Sequence, residues 1–165
     1  MMVARLIASF GGVGFLPKAP GTWGSLAALP FAWLLHGLGG PFLLTIGILA
    51  AILIGVRATQ EVTRDAKDHD PGWVVIDEVA GQWIALWPLS IGMVMAGSDP
   101  WVFPWPGVLG GFFLFRLFDI WKPGPVGWAD RRGGPWGVML DDVFAGLFAA
   151  IVLVATAWLG HQVLL

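Results

Sequence analysis

Two pairs of adjacent acids stand next to long apolar runs in this 165-residue chain: Asp77-Glu78, followed by Val79-Ala80-Gly81, and Asp141-Asp142, followed by Val143-Phe144-Ala145-Gly146. Acids in a first helical turn complement the helix dipole, and capping accounts for one Asp before a helix. Neither accounts for a second acid beside it at a bilayer boundary, where ionisable groups are costly and usually functional. A third segment, Arg116-Leu117-Phe118-Asp119-Ile120-Trp121-Lys122-Pro123, spaces Arg116, Asp119 and Lys122 three apart. That spacing puts them on one broad helix face, and Pro123 ends the helix. These residues read either as an internal ion-pair set or as a metal ligand, Asp119, flanked by two anion-binding cations. A fourth segment, Pro20-Gly21-Thr22-Trp23-Gly24-Ser25, precedes an apolar stretch. It reads as a turn in which Thr22 or Ser25 caps the helix, or as a phosphate site of free backbone N–H groups with Lys18 nearby.

Asp77, Glu78, Asp119, Asp141 and Asp142 are expected at one membrane level, where five carboxylates repel one another. A hard divalent cation relieves that repulsion. Mg²⁺ suits such a site because it takes one or two carboxylates plus waters and substrate phosphates, and the neighbouring Lys and Arg then clamp those phosphates. Several other chemistries are excluded. The chain has no Cys, so thiolate catalysis and disulfides are absent. His36 and His161 are expected near one face and His69 near the other, so no histidine site assembles; each reads as a structural residue. The chain also lacks a G-x-S-x-G elbow and a P-loop. Metal-activated water attacking phosphorus remains.

The elements that hold these residues are apolar. Hydrophobic residues make up 57% of the chain and charged residues 12%, and mean hydropathy is +0.77. A soluble domain carries roughly 25% charged residues, so this composition points to a bilayer. Eleven Trp residues fit the headgroup level. A net charge of -2 is too small to suggest a nucleic-acid partner. Five stretches are candidate crossings: 25–38, 41–56 (extending to 62), 79–96, 107–121 and 143–164. The run Leu6 to Leu16 is too short to span and is expected to be interfacial or re-entrant. With the N-terminus inside, all nine Lys and Arg fall on one side, counting Arg116 at the inner end of its helix, and of eleven acids only Asp99 falls on the other. Positive charge marks that side as cytoplasmic. The expected fold is therefore an all-α, polytopic membrane helical bundle with four to five membrane-embedded helices, residues 1–165 forming one domain. A small cation transporter or channel is the alternative, but it needs polar groups lining a path through the membrane.

In order along the chain, Pro20–Ser25, Ile76–Gly81, Phe115–Pro125 and Gly134–Gly146 resemble the motifs of the phosphatidylglycerophosphatase A family. The resemblance runs from about Phe10 to Gly146. It implies a Mg²⁺-dependent phosphatase of the bacterial inner membrane, which removes the terminal phosphate of phosphatidylglycerophosphate to give phosphatidylglycerol. By position it implies an acidic set of Asp77, Glu78, Asp119, Asp141 and Asp142, and a substrate-binding set of Lys18, Thr22, Ser25, Arg116, Lys122 and Arg131. Within these sets, Glu78, Asp141 and Asp142 are the expected metal ligands. Asp119 is a further ligand or the orienter of Arg116, and Asp77 is the expected base. Lys18, Lys122 and the Pro20–Ser25 turn are expected to hold phosphate.

Overall fold

A computed structural model describes residues 1–66 and 71–164. Helix α1 (Met2–Ala8) is followed by a single 3-10 turn, Val13–Phe15. Then come α2 (Pro20–Thr63), α3 (Ile76–Met95), α4 (Trp105–Trp121), the short α5 (Pro125–Asp130) and α6 (Gly134–Leu164). No strand occurs among the described residues. The all-α expectation holds. Among the described residues two helices, α2 and α6, are long and apolar enough to cross a membrane. That is fewer than the four to five expected: by length and composition α3 and α4 do not add to the two.

Several boundaries differ from those expected. Helix α2 begins at Pro20, five residues before the predicted 25, and α6 begins at Gly134, nine before the predicted 143. Composition marked only the apolar part of each helix, but the backbone winds on into the polar ends. The N-terminal run also differs, because its helix lies at Met2–Ala8. Phe10, Gly11 and Gly12 then take positive φ (47°, 69° and 98°), which stops it.

Helix α2 folds back on itself. Gly39 is non-helical, and Gly40 takes φ 58°, ψ -150°, a region open essentially to glycine alone. Pro41, which has no N–H to lose, restarts the helix. The halves 20–38 and 41–63 then pack together: a Cβ on Gly47 would sit 2.8 Å from Leu35 Cδ1. Helix α3 lies at the centre, against α2, α4 and α6. The indole N–H of Trp83 donates to the Ala28 carbonyl at 2.9 Å and ties α3 to the first half of α2.

Helices α3 and α6 cross at glycines. A Cβ on Gly146 would strike the carbonyl oxygen of Gly81, and one on Gly81 would come within 2.6 Å of the Asp142 carbonyl oxygen. This crossing brings Asp142 alongside the first turn of α3. The outer faces stay apolar: Leu53, Phe113, Leu117, Ile151 and Trp158 are each more than half exposed. Such continuous apolar surface marks contact with lipid or another apolar partner.

Gly146→Leu should force the helices apart. We expect a loss of about 1–3 kcal/mol, the usual cost of overpacking, seen as a lower unfolding midpoint in detergent. An unchanged midpoint would show that the crossing is not tight.

Candidate active site

Four segments meet at the polar end of the bundle. Asp77 and Glu78 occupy the first turn of α3, where the helix dipole favours negative charge. Asp142 comes from α6. One carboxylate oxygen from each of Asp77, Glu78 and Asp142 lies within 4.8 Å of the others. Asp77 and Asp142 are buried and Glu78 is half-buried. The Glu78 N–H donates to Asp77 Oδ1 at 3.1 Å, and the Asp142 N–H to Asp141 Oδ1 at 3.0 Å. Glu78 Oε2 and Asp142 Oδ1 are buried with no hydrogen-bond partner. Unpaired buried carboxylate oxygens are expensive. Three carboxylates facing one another repel as well.

Helix α4 supplies the cations. Arg116 Nη1 lies 2.5 Å from Asp119 Oδ2, and both side chains are largely shielded from solvent. The pair meets in distance but not in hydrogen-bond angle, and Arg116 Nε has no partner. Asp119 is close enough to Glu78 and Asp142 for its charge to repel both. Lys122 ends α4 in a left-handed conformation, φ 51°. Its ammonium bridges Asp130 on α5 and Asp141 on α6, the latter at 2.8 Å. Burial alone pulls the Lys122 ammonium down, but the hydrogen bonds and charges of the two carboxylates outweigh it and hold it above the usual lysine range.

The start of α2 closes the site. A Cβ on Gly21 would strike Glu78 Oε1 and lie 3.2 Å from Arg116 Nη1. A side chain at this position would push the Glu78 carboxylate aside.

The residues read from sequence are thus partly assembled. Asp77, Glu78 and Asp142 form one group with Asp119 beside it, whereas Asp141 turns to Lys122. Helix capping does not explain Asp141 and Asp142, since both lie about two turns inside α6. The capping expected of Thr22 and Ser25 is also wrong. Both are inside α2, whose N-cap is Ala19 with no side-chain cap, and the Ser25 hydroxyl instead donates to the Gly21 carbonyl at 2.8 Å. Thr22 is half-buried one residue from Gly21. Lys18 and Arg131 are exposed, and neither is in an ion pair among the described residues. The Arg131 guanidinium lies beside Gly127. His36 is buried at the other end of the bundle, with Nδ1 2.8 Å from Ser90 Oγ. His69 and the side chain of His161 lie outside the described residues. Sequence reasoning missed Gly21, Asp130 and Gln82. Gln82 stands one turn after Glu78, fully buried, with neither amide atom paired. Its place in the Glu-x-x-x-Gln spacing was the only available signal.

The sequence profile of the phosphatidylglycerophosphatase A family matches residues 6–157. The chain belongs to this family. It is 38% identical over 159 residues to the phosphatidylglycerophosphatase A of Escherichia coli K12, covering 96% of this chain and 84% of the relative. The phosphatidylglycerophosphatase A of Haemophilus influenzae is 36% identical, over 92% of this chain and 86% of its own length. A Bacteroides thetaiotaomicron protein, provisionally named a phosphatidylinositol-3-phosphatase, is 34% identical over 93% of this chain and 92% of its own. No solved structure matches the chain.

A divalent ion that binds the three-carboxylate group should raise the unfolding midpoint, because a ligand of the folded state stabilises it. The expected result is a rise in the detergent midpoint with millimolar Mg²⁺ or Mn²⁺, lost in Asp142→Asn. An equal rise in wild type and variant would place the ion elsewhere.

Proposed function

We propose that this chain hydrolyses the terminal phosphate of phosphatidylglycerophosphate, giving phosphatidylglycerol and phosphate, with Mg²⁺ at the carboxylate group. One observation carries the reading: buried carboxylates from α3 and α6, with unpaired oxygens on Glu78 and Asp142, stand beside Arg116 and Lys122. Family membership supports the substrate.

The donor set fits the ion. It is all hard oxygen, and its orphaned atoms lack a positive partner, as a Mg²⁺ site requires. Glu78 and Asp142 would hold it, with Asp77, Asp119 or Asp141 completing the set. When bound, it supplies positive charge to the phosphate oxygens and lowers the cost of forming hydroxide. The remaining work belongs to side chains. Asp77 would take a proton from the attacking water. Water oxygen bonds to phosphorus as the phosphorus–ester oxygen bond breaks, and the released glycerol oxygen takes up a proton. Arg116 offers its unpaired Nε–H to the phosphate. Lys122 holds Asp141 and contributes positive charge at the rim. Thr22 and Ser25, in the first turns of α2 with Gly21, would support the phosphate end, and the exposed Lys18 and Arg131 would suit the outer, solvated part of the headgroup.

A lipid substrate suits a site at the end of an apolar bundle, because its acyl chains stay in the bilayer. We read five embedded segments: the two halves of α2, with α3, α4 and α6. The carboxylate end then faces the cytoplasm of a bacterial inner membrane, and the Gly39 and Asp99 end faces outward.

Purified protein should release phosphate from phosphatidylglycerophosphate with Mg²⁺ and stop in excess chelator; full activity with chelator would sink the metal role. Glu78→Gln and Asp142→Asn should each lose most activity while remaining folded. Gly21→Ala should displace Glu78 and cost about a hundredfold, as roughly 1 Å of misplacement does. Gly92→Ala, whose Cβ meets nothing within 4 Å, should cost nothing. Equal activity of the two glycine variants would refute the close approach. Phosphatidylinositol 3-phosphate, run in parallel, tests headgroup choice. For topology, cysteines introduced at Gly39 and Asp99 should react with an impermeant reagent outside intact cells, and one at Arg131 only after lysis. Labelling of all three from outside would overturn the orientation.

A further inference from the structure

One apolar cavity opens on a different side of α3 from the carboxylates. It is a groove of about 480 Å³ between α1, the second half of α2 and the flank of α3. Leu6 and Phe10 wall one side, Ala50 and Ile54 the other, with Ile76 and Trp83 behind. Its α2 wall is built of small residues: Gly47, Ala50, Ala51 and Gly55 fall on one helix face. At one end the groove runs into a smaller cleft, with Val3, Ile7 and Ile54 lining both. That cleft carries Arg57 and Glu61. Glu61 is engaged by the α-amino group of Met1 at 2.5 Å. Arg57 is exposed and makes no ion pair among the described residues.

Dimensions and charge together select an occupant. From Gly47 to Arg57 the helix rises about 15 Å, at 1.5 Å per residue. That is half of a hydrocarbon core about 30 Å thick, the depth of one leaflet. The stretch from Gly47 to Ile54 is lined by apolar groups, and the other end presents the Arg57 guanidinium, without an ion pair among the described residues, at headgroup level. A guanidinium there recognises phosphate. We propose that this groove holds one acyl chain of a resident anionic phospholipid of the inner leaflet, its phosphate seated on Arg57. The site is separate from the carboxylate group, from which Ile76 and Trp83 point away around α3. It stands whether or not the hydrolase reading does. It also gives α1 a role: the helix is one wall of a lipid site, held in place by what it encloses.

The test is native mass spectrometry of the full chain in mild detergent, titrated with phosphatidylglycerol or phosphatidylcholine. Wild type should retain one phosphatidylglycerol about fivefold more tightly than phosphatidylcholine, the preference expected of one cation at an anionic headgroup. Arg57→Gln should bind the two lipids equally. Ala50→Phe fills the groove and should retain neither, with circular dichroism confirming its helices. Asp142→Asn should bind as wild type does. No preference in wild type, or undiminished preference in Arg57→Gln, would overturn the proposal. Loss of the bound lipid in Asp142→Asn would also overturn it, by placing the lipid at the carboxylates.

Discussion

Two glycines, Gly81 on α3 and Gly146 on α6, let two helix backbones touch. Everything at the polar end depends on that contact. Side chains at the crossing would hold the helices several ångströms further apart. Asp142 would then face a gap rather than Asp77 and Glu78. Close approach is a route to helix association where water supplies no driving force between apolar surfaces. Here it also sets the spacing of three carboxylates. One packing constraint thus bears on both the stability of the bundle and the spacing of its acidic group.

The cost of the arrangement is electrostatic. Acids that would repel in isolation are held together by helices whose packing owes nothing to them. Asp141 and Asp119 show how the excess is managed: each is matched with a cation, Lys122 and Arg116 respectively. Asp130 joins Asp141 on Lys122, so that ammonium holds α5 against the joint of α4 and α6. The oxygens on Glu78 and Asp142 are left unmatched. A protein built for stability alone would have replaced such atoms with methyl groups.

The sequence carried much of this and missed some of it for definable reasons. Acid pairs beside apolar runs were visible because charge is scarce in such a chain, so Asp77, Glu78 and Asp142 stood out. Helix ends were less visible. Gly134 to Leu140 reads as loop by composition, yet it is helix, because a helix leaving the bilayer no longer needs apolar residues. The division between Asp141 and Asp142 could not be read either. Adjacent residues on a helix point about 100° apart, and only the packing of α6 against α3 and Lys122 decides which one joins Asp77 and Glu78. Gly21 was read as part of a turn, since nothing local reveals that a carboxylate from a distant helix lies against it.

Gly21 and Asp142 meet the same carboxylate from nearly opposite ends of the chain. During synthesis the first is made early, and the second only when the final helix emerges. No partial chain can therefore assemble the acidic pocket. On the proposed reading, chemistry then waits until the last helix has joined the bundle, and a prematurely terminated product is inert.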